Sequence, residues 1–237
     1  MEIVDSIADV LQRVDVVLLE SVDGSVHLEQ LRPVFDAGLP VFIDKPVASS
    51  LDEIRLIAKL AEQTGAPCWS SSALRFCEPI AALARDDQAN VSGCSVRGPI
   101  RYQQRVPDLY FYGIHGVETL FTIMGTGCRS VSRTKTETTD LVVGVWSDGR
   151  IGTYRGLRQH AAFGTTVFWA DGSTESVELS RDYSEPYQAL CREIVQFAKT
   201  GIVPVCFETT IEIYSFMEAA DRSLQTGGSA VDLAGIR

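Results

Sequence analysis

The sequence has no G-x-G-x-x-G turn behind any predicted strand, no C-x-x-C pair and no long apolar run. Each absence excludes something. The cysteines, Cys68, Cys77, Cys94, Cys128, Cys191 and Cys206, match no zinc-ligand spacing, so no metal site is expected. Most sit in apolar segments, as reduced buried thiols do, which points to a reducing compartment and no disulfide framework. The N-terminus lacks the basic-then-apolar pattern of a signal peptide, and no segment approaches the length of a membrane span. A cytoplasmic protein with no membrane partner is the expectation. Positive charge is also scarce: 21 Lys and Arg stand against 31 Asp and Glu, a net charge of -10. That balance argues against nucleic acid and anionic membrane surfaces as partners. There is no low-complexity tract and no internal repeat. What remains, 45% hydrophobic and 22% charged over 237 residues, is an ordinary globular chain, long enough for one large or two small domains.

The first third alternates strands and helices. An amphipathic helix over 5–13 leads to an apolar strand over 14–19, whose continuous pattern predicts cover on both faces. A helix over 25–37 stops at Gly38. A strand over 40–43 follows. Ser50-Leu-Asp-Glu53 is a capping box opening a helix that Gly65 closes, and a third strand runs over 67–72. This β-α-β-α-β order is one mononucleotide-binding half of a doubly wound parallel sheet. From residue 77 the texture changes to short alternating segments near 91–97, 129–137, 140–147, 150–156, 163–170 and 173–179. Asp148-Gly149 and Asp171-Gly172 mark tight hairpins among them. A helix over 113–124 and two closing helices, ended by Gly201 and Gly227-Gly228, complete the pattern. The fold class is therefore α/β: a partial Rossmann-like unit over 1–76, then an α+β domain over 77–237 with a largely antiparallel open sheet.

A lysine at the carboxyl end of a buried strand sits where open α/β sheets bind ligands. Here the segment reads Ala37-Gly38-Leu-Pro-Val41-Phe-Ile-Asp44-Lys45-Pro46. With His27 upstream, Leu74-Arg75-Phe76 downstream and Gly113-Ile-His115-Gly-Val-Glu118 beyond, the chain resembles the Gfo/Idh/MocA family of nicotinamide-dependent oxidoreductases over essentially its whole length. The resemblance implies NAD or NADP as cofactor and a sugar or polyol hydroxyl as substrate. It also implies a site in the crevice between the nucleotide-binding unit and the sheet domain. Two departures accompany it. The family's opening strand, glycine-rich turn and helix, roughly 60–80 residues, are not in this sequence. Gly125-Thr-Gly127 follows a helix and reads as its stop. The aspartate that the family places four residues before its catalytic histidine is Phe111 here.

The chemistry of these residues follows. The Lys45 ammonium suits polarisation of a substrate oxygen and stabilisation of negative charge, and Pro46 fixes the bend that aims it. The resemblance adds a role for Lys45 in positioning the nicotinamide ring. His115 is the candidate proton acceptor, having a pKa near neutrality. Phe111 removes the expected orienting partner, and Tyr112 is the alternative relay. Ser21, His27, Asp44 and Arg75 are candidates for the cofactor edge, although Arg75 reads equally as a salt-bridge partner and His27 as a surface histidine. His160 carries no strong case. A sheet edge near 14–19 invites pairing with another chain, and the resemblance implies subunit contact through the open sheet over 129–179, so a homo-oligomer is expected. The competing reading is a non-catalytic sugar-binding or interaction protein that kept this fold.

Overall fold

The structure, a computed structural model, describes residues 2–85, 90–104, 106–159 and 161–236; His160 lies outside them. The chain divides into two compact units, one of Met1–Ser71 with Cys191–Ile211, the other of Ser72–Leu190 with Glu212–Arg237.

The first unit begins with α1 (Ile7–Leu11) and strand β1 (Val17–Leu19). A 3-10 turn (Gly24–Val26) runs into α2 (His27–Asp36), followed by β2 (Val41–Ile43), α3 (Leu51–Thr64) and β3 (Cys68–Trp69). The strands form a parallel sheet in the order β1-β2-β3. Central β2 is buried throughout, and Phe42 meets Trp69 edge to face at 4.8 Å between ring centroids. Trp69 in turn meets Phe197 at 6.0 Å, so the 191–211 segment shares this core. Ser50 caps α3 by accepting from the Glu53 backbone N–H, while the Glu53 carboxylate accepts from Ser49 rather than closing back on Ser50. The expectation that the first strand is covered on both faces does not hold: β1 is an edge strand, and Leu18 is 46% exposed.

In the second unit a 3-10 turn (Ala73–Phe76) precedes α4 (Glu78–Arg85), a helix the sequence reading did not contain. Then come β4 (Val91–Pro99), α5 (Ile114–Met124), β5 (Cys128–Lys135), β6 (Thr139–Trp146), β7 (Ile151–Leu157), β8 (Gly164–Trp169) and β9 (Thr174–Glu178). Helices α6 (Ser184–Thr200) and α7 (Phe207–Gln225), each divided between the units, and the short strand β10 (Val231–Asp232) close the chain. The sheet order is β10-β5-β6-β7-β4-β8-β9. All neighbours are antiparallel except β4 and β7, which run parallel at its centre. The two predicted Asp-Gly hairpins join β6 to β7 and β8 to β9, with Gly149 and Gly172 in the left-handed region. Helix α5 packs on β4 and β7, and the strands bury alternate residues against the helical side.

Arg133 of β5 is fully buried and would be costly alone. Asp140, equally buried, accepts from its Nε at 3.0 Å and its Nη2 at 2.8 Å. Asp108 and Asp221 pair with the remaining guanidinium edges. Lys135 reaches Asp108 at 2.8 Å, and its ammonium lies 4.3 Å from the Tyr102 ring centroid. This network ties the segment before α5 to the sheet.

Candidate functional site

In the first unit the chemistry gathers where β1 and β2 end. Leu19 pairs with Ile43, and the Asp44 N–H donates to the Leu19 carbonyl at 2.9 Å, so the two strand ends are level. Ser21 follows one strand and Asp44-Lys45-Pro46 the other. The Lys45–Pro46 peptide is cis. Ser21 Oγ donates to Gln30 Oε1 at 2.9 Å on α2. His27 is completely buried at the start of α2. Its Nε2 lies 2.7 Å from the Ser21 carbonyl and its Nδ1 3.1 Å from the Val47 carbonyl. The ring therefore joins the loop after β1 to the loop after β2 and presents no surface, in contrast to the surface histidine weighed from sequence. Gly24 packs beneath the bend, close to the Pro46 carbonyl.

Electrostatics follow from this partial burial. Desolvation lowers the pKa of Lys45, and Asp44 beside it opposes the shift. Desolvation raises Asp44, against the attraction of Lys45 and a hydrogen bond from the Lys45 backbone. Burial and the Asp44 charge raise Glu20 as well. The ammonium of Lys45 is thus poorly solvated and strongly interacting, the condition under which a cation stabilises developing negative charge.

In the second unit His115 lies in the first turn of α5 and is partly exposed. Its Nδ1 is 2.7 Å from Ser72 Oγ. One turn along, Glu118 Oε2 accepts from Arg75 Nε at 3.1 Å, both side chains being buried or nearly so. Tyr112 meets the His115 ring edge to face at 5.1 Å, and the Arg101 guanidinium lies over Tyr112 at 4.9 Å. Phe163 borders both rings, 6.4 Å from Tyr112 and 6.2 Å from His115. The sequence predicts that Phe111 leaves His115 without an orienting partner. That expectation is corrected, because Ser72 supplies one. Asp108, an acid close to His115 in sequence, belongs to the Arg133 network. Sequence reasoning missed Ser72; its one signal was a run of three serines behind a buried strand, where polar residues need a reason to be buried.

Among the described residues no group of three metal-ligating side chains occurs. Burial pushes the thiols of Cys68 and Cys94 up to about 12 and that of Cys77 to about 11, which leaves them unreactive. No described helix is long and apolar enough to cross a membrane.

Residues 1–72 match the model of an oxidoreductase family with an NAD-binding Rossmann fold, Gfo/Idh/MocA. No curated protein matches the chain by sequence. Solved structures with similar folds include a probable dehydrogenase from Thermotoga maritima, at 17% identity and TM-score 0.85, the match covering 98% of this chain and 85% of that one. A putative myo-inositol dehydrogenase from Sinorhizobium meliloti is 15% identical with TM-score 0.85, covering 97% and 84%. A scyllo-inositol dehydrogenase from Lactobacillus casei, with bound NAD(H) and scyllo-inositol, is 13% identical with TM-score 0.82, covering 97% and 84%. Residues 1–72 therefore carry the NAD-binding Rossmann signature of the Gfo/Idh/MocA oxidoreductases, and the chain shares the fold of these solved structures along nearly its whole length.

Proposed function

We propose that this chain is an NAD- or NADP-dependent dehydrogenase acting on a hydroxyl of a sugar or polyol in the cytoplasm, with neither nucleic acid nor membrane as a partner. The observation that carries the reading is Lys45: a partly buried, desolvated lysine at the carboxyl end of β2, inside the segment that matches an NAD-binding oxidoreductase family. The polyol class draws support from the inositol dehydrogenases among the structural neighbours.

The residues present fit one end of such a cofactor. Lys45, Asp44 and Pro46 form a rigid, charged strand end suited to a nicotinamide ring and a substrate oxygen. No strand, glycine turn and helix among the described residues fits the pyrophosphate. When bound, the nicotinamide supplies a two-electron acceptor for a carbon-bound hydrogen. The protein supplies the rest. Lys45 donates a hydrogen bond to the substrate oxygen and stabilises its negative charge, an effect that low solvation strengthens. His115 presents Nε2 to the hydroxyl proton while Nδ1 is engaged by Ser72. Tyr112, against the His115 ring, is the alternative route for that proton. Ser21 and His27 set the course of the β1 loop and Asp44 that of the lysine bend, so these residues shape the cofactor edge through backbone position. Arg75 acts through its pair with Glu118.

The non-catalytic alternative draws on one observation, Phe111, which offers no hydrogen-bonding side chain four residues before His115. Calorimetric titration of the full chain with NADH and NADPH tests the proposal. Micromolar binding that Lys45→Ala abolishes, with turnover of a polyol such as myo-inositol, is the expected result. Absence of binding up to millimolar cofactor would favour a sugar-binding protein.

A further inference from the structure

Two contacts on α5 share one spacing. Ser72 meets His115 and Arg75 meets Glu118, each across 43 residues of chain. The 3-10 turn advances three residues between its contacts, and so does the helix. The ion pair is the stronger tie, since Glu118 is 5% exposed and Arg75 13%. It fixes the rotation and height of the turn on the helix, and Ser72 then falls opposite the Nδ1 of His115. The position four residues before His115 is Phe111, which has no hydrogen-bonding side chain.

We propose that Ser72 is the positioning residue of His115, setting the orientation and proton placement of the imidazole through Nδ1; this rests on the reading of His115 as the group that exchanges the hydroxyl proton. The chemistry of the hydroxyl gives the pairing its character. A neutral imidazole carries its proton on one nitrogen only, and a partner at Nδ1 decides which. A carboxylate only accepts, so it holds the Nδ1–H form and adds a negative charge that strengthens the base. A serine hydroxyl both donates and accepts. Ser72 Oγ also accepts from the Leu74 N–H at 3.2 Å, which pins the oxygen while its hydrogen rotates. Accepting from Nδ1–H, Ser72 leaves Nε2 bare to take a proton from an alcohol. The imidazolium so formed keeps its Nδ1–H on Ser72 and returns the Nε2 proton to the oxygen in the reverse direction, whereas a Ser72 that donates to Nδ1 would hold the Nε2–H form, which cannot take the alcohol proton. The same ring thus serves both directions of a reversible oxidation. Of the charged groups nearby, Arg101 lies over Tyr112, and Arg75 pairs with Glu118.

The test is 15N NMR of the histidine rings in the full chain, which has three histidines. Signals lost in His115→Gln assign His115. Ser72→Ala is expected to shift the His115 ring nitrogens to a different balance of Nδ1–H and Nε2–H forms. Ser72→Thr, which keeps the hydroxyl, restores the wild-type pattern. In turnover, Ser72→Ala lowers kcat on the order of 10- to 100-fold with little change in KM, and threonine recovers it. Because alanine also removes the acceptor for Leu74, Ser72→Cys, nearly isosteric and a poor hydrogen-bonding group, serves as the second variant. Unchanged His115 nitrogen shifts in both the alanine and cysteine variants would overturn the proposal. Wild-type turnover in His115→Gln would remove the proton-exchange role and leave the Ser72 pairing to be judged by the ring shifts alone.

Discussion

At Gly24 the carbonyl of Pro46 occupies the space a side chain would need: a Cβ there would lie 2.6 Å from that oxygen. The contact is with backbone, which has little room to yield. Gly24→Ala should therefore destabilise the protein by about 1–3 kcal/mol, the usual range for overpacking. The strain falls on the bend that carries Lys45, so cofactor affinity should fall with it. Urea denaturation and an NADH titration measure the two effects, and an unchanged midpoint would show that the bend moves freely. His27 belongs to the same small structure. Both its nitrogens face carbonyl oxygens, so it acts as a strut between two loops.

Among the secondary-structure elements, the 3-10 turn over Ala73–Phe76 is held to α5 by Arg75 and Glu118. Removing the arginine alone leaves a buried carboxylate uncompensated, and Arg75→Ala should cost about 3–5 kcal/mol. Replacing both, as Arg75→Met with Glu118→Leu, should recover most of that loss in stability while loosening the register that serves His115. A single-variant cost below about 1 kcal/mol would rule the pair out as the tie. The Arg133 network makes a different prediction. Burial raises Asp221 from 3.8 to about 6, although Arg133 pulls the other way. A folded-state pKa above the unfolded one means that the folded chain binds the proton more tightly. Stability should therefore fall as pH rises from about 4 to about 6, and Asp221→Asn should flatten that slope in pH-dependent unfolding. An identical slope in the variant would place the titration elsewhere.

The elements also show what could be read from the sequence. Helix stops at Gly38 and Gly65, the capping serine and both Asp-Gly hairpins are encoded within a few residues, and they appear where local chemistry predicts them. The parallel pairing of β4 with β7 is not local, and no pattern in either strand marks it. The Lys45 bend was legible because strand, turn and charge are contiguous. Ser72 was not, because its partner lies 43 residues away and a short hydroxyl gives no compositional signal. Helix α4 was hidden by its length of 8 residues, too short for a clear period.

At the scale of the whole molecule, the face of the seven-stranded sheet away from the helices carries exposed Ile151 and Phe168, at 51% and 42%, beside partly buried Leu141, Val143 and Val145. Within the first unit, edge strand β1 separately exposes Leu18. Such surface suits pairing with a second copy, and we propose a homo-oligomer through the C-terminal sheet. The same face carries Arg97 and Arg155 beside the apolar residues, and in a chain with a net charge of -10 these cations lessen self-repulsion there. Phe168→Arg with Ile151→Arg should convert the assembly to a monomer in light scattering at micromolar concentration. A wild-type mass equal to one chain at every concentration would contradict the assembly itself.

The central place of β4 has a consequence for how this sheet comes into being. Strands β5, β6 and β7 follow one another through short turns, so they can pair at little entropic cost. β4 finds its partners only in β7 and β8, with Gly93 pairing Ile151 in the one and Phe168 in the other. The meander must exist before β4 has an edge to join, and β8 and β9 cannot complete the sheet until β4 is seated. The first strand of the unit to be synthesised is thus placed to be among the last to lock. Substitutions in β6 and β7 should slow refolding, whereas those in β4 should chiefly hasten unfolding, and φ-values near 1 in β4 would reverse that order of events.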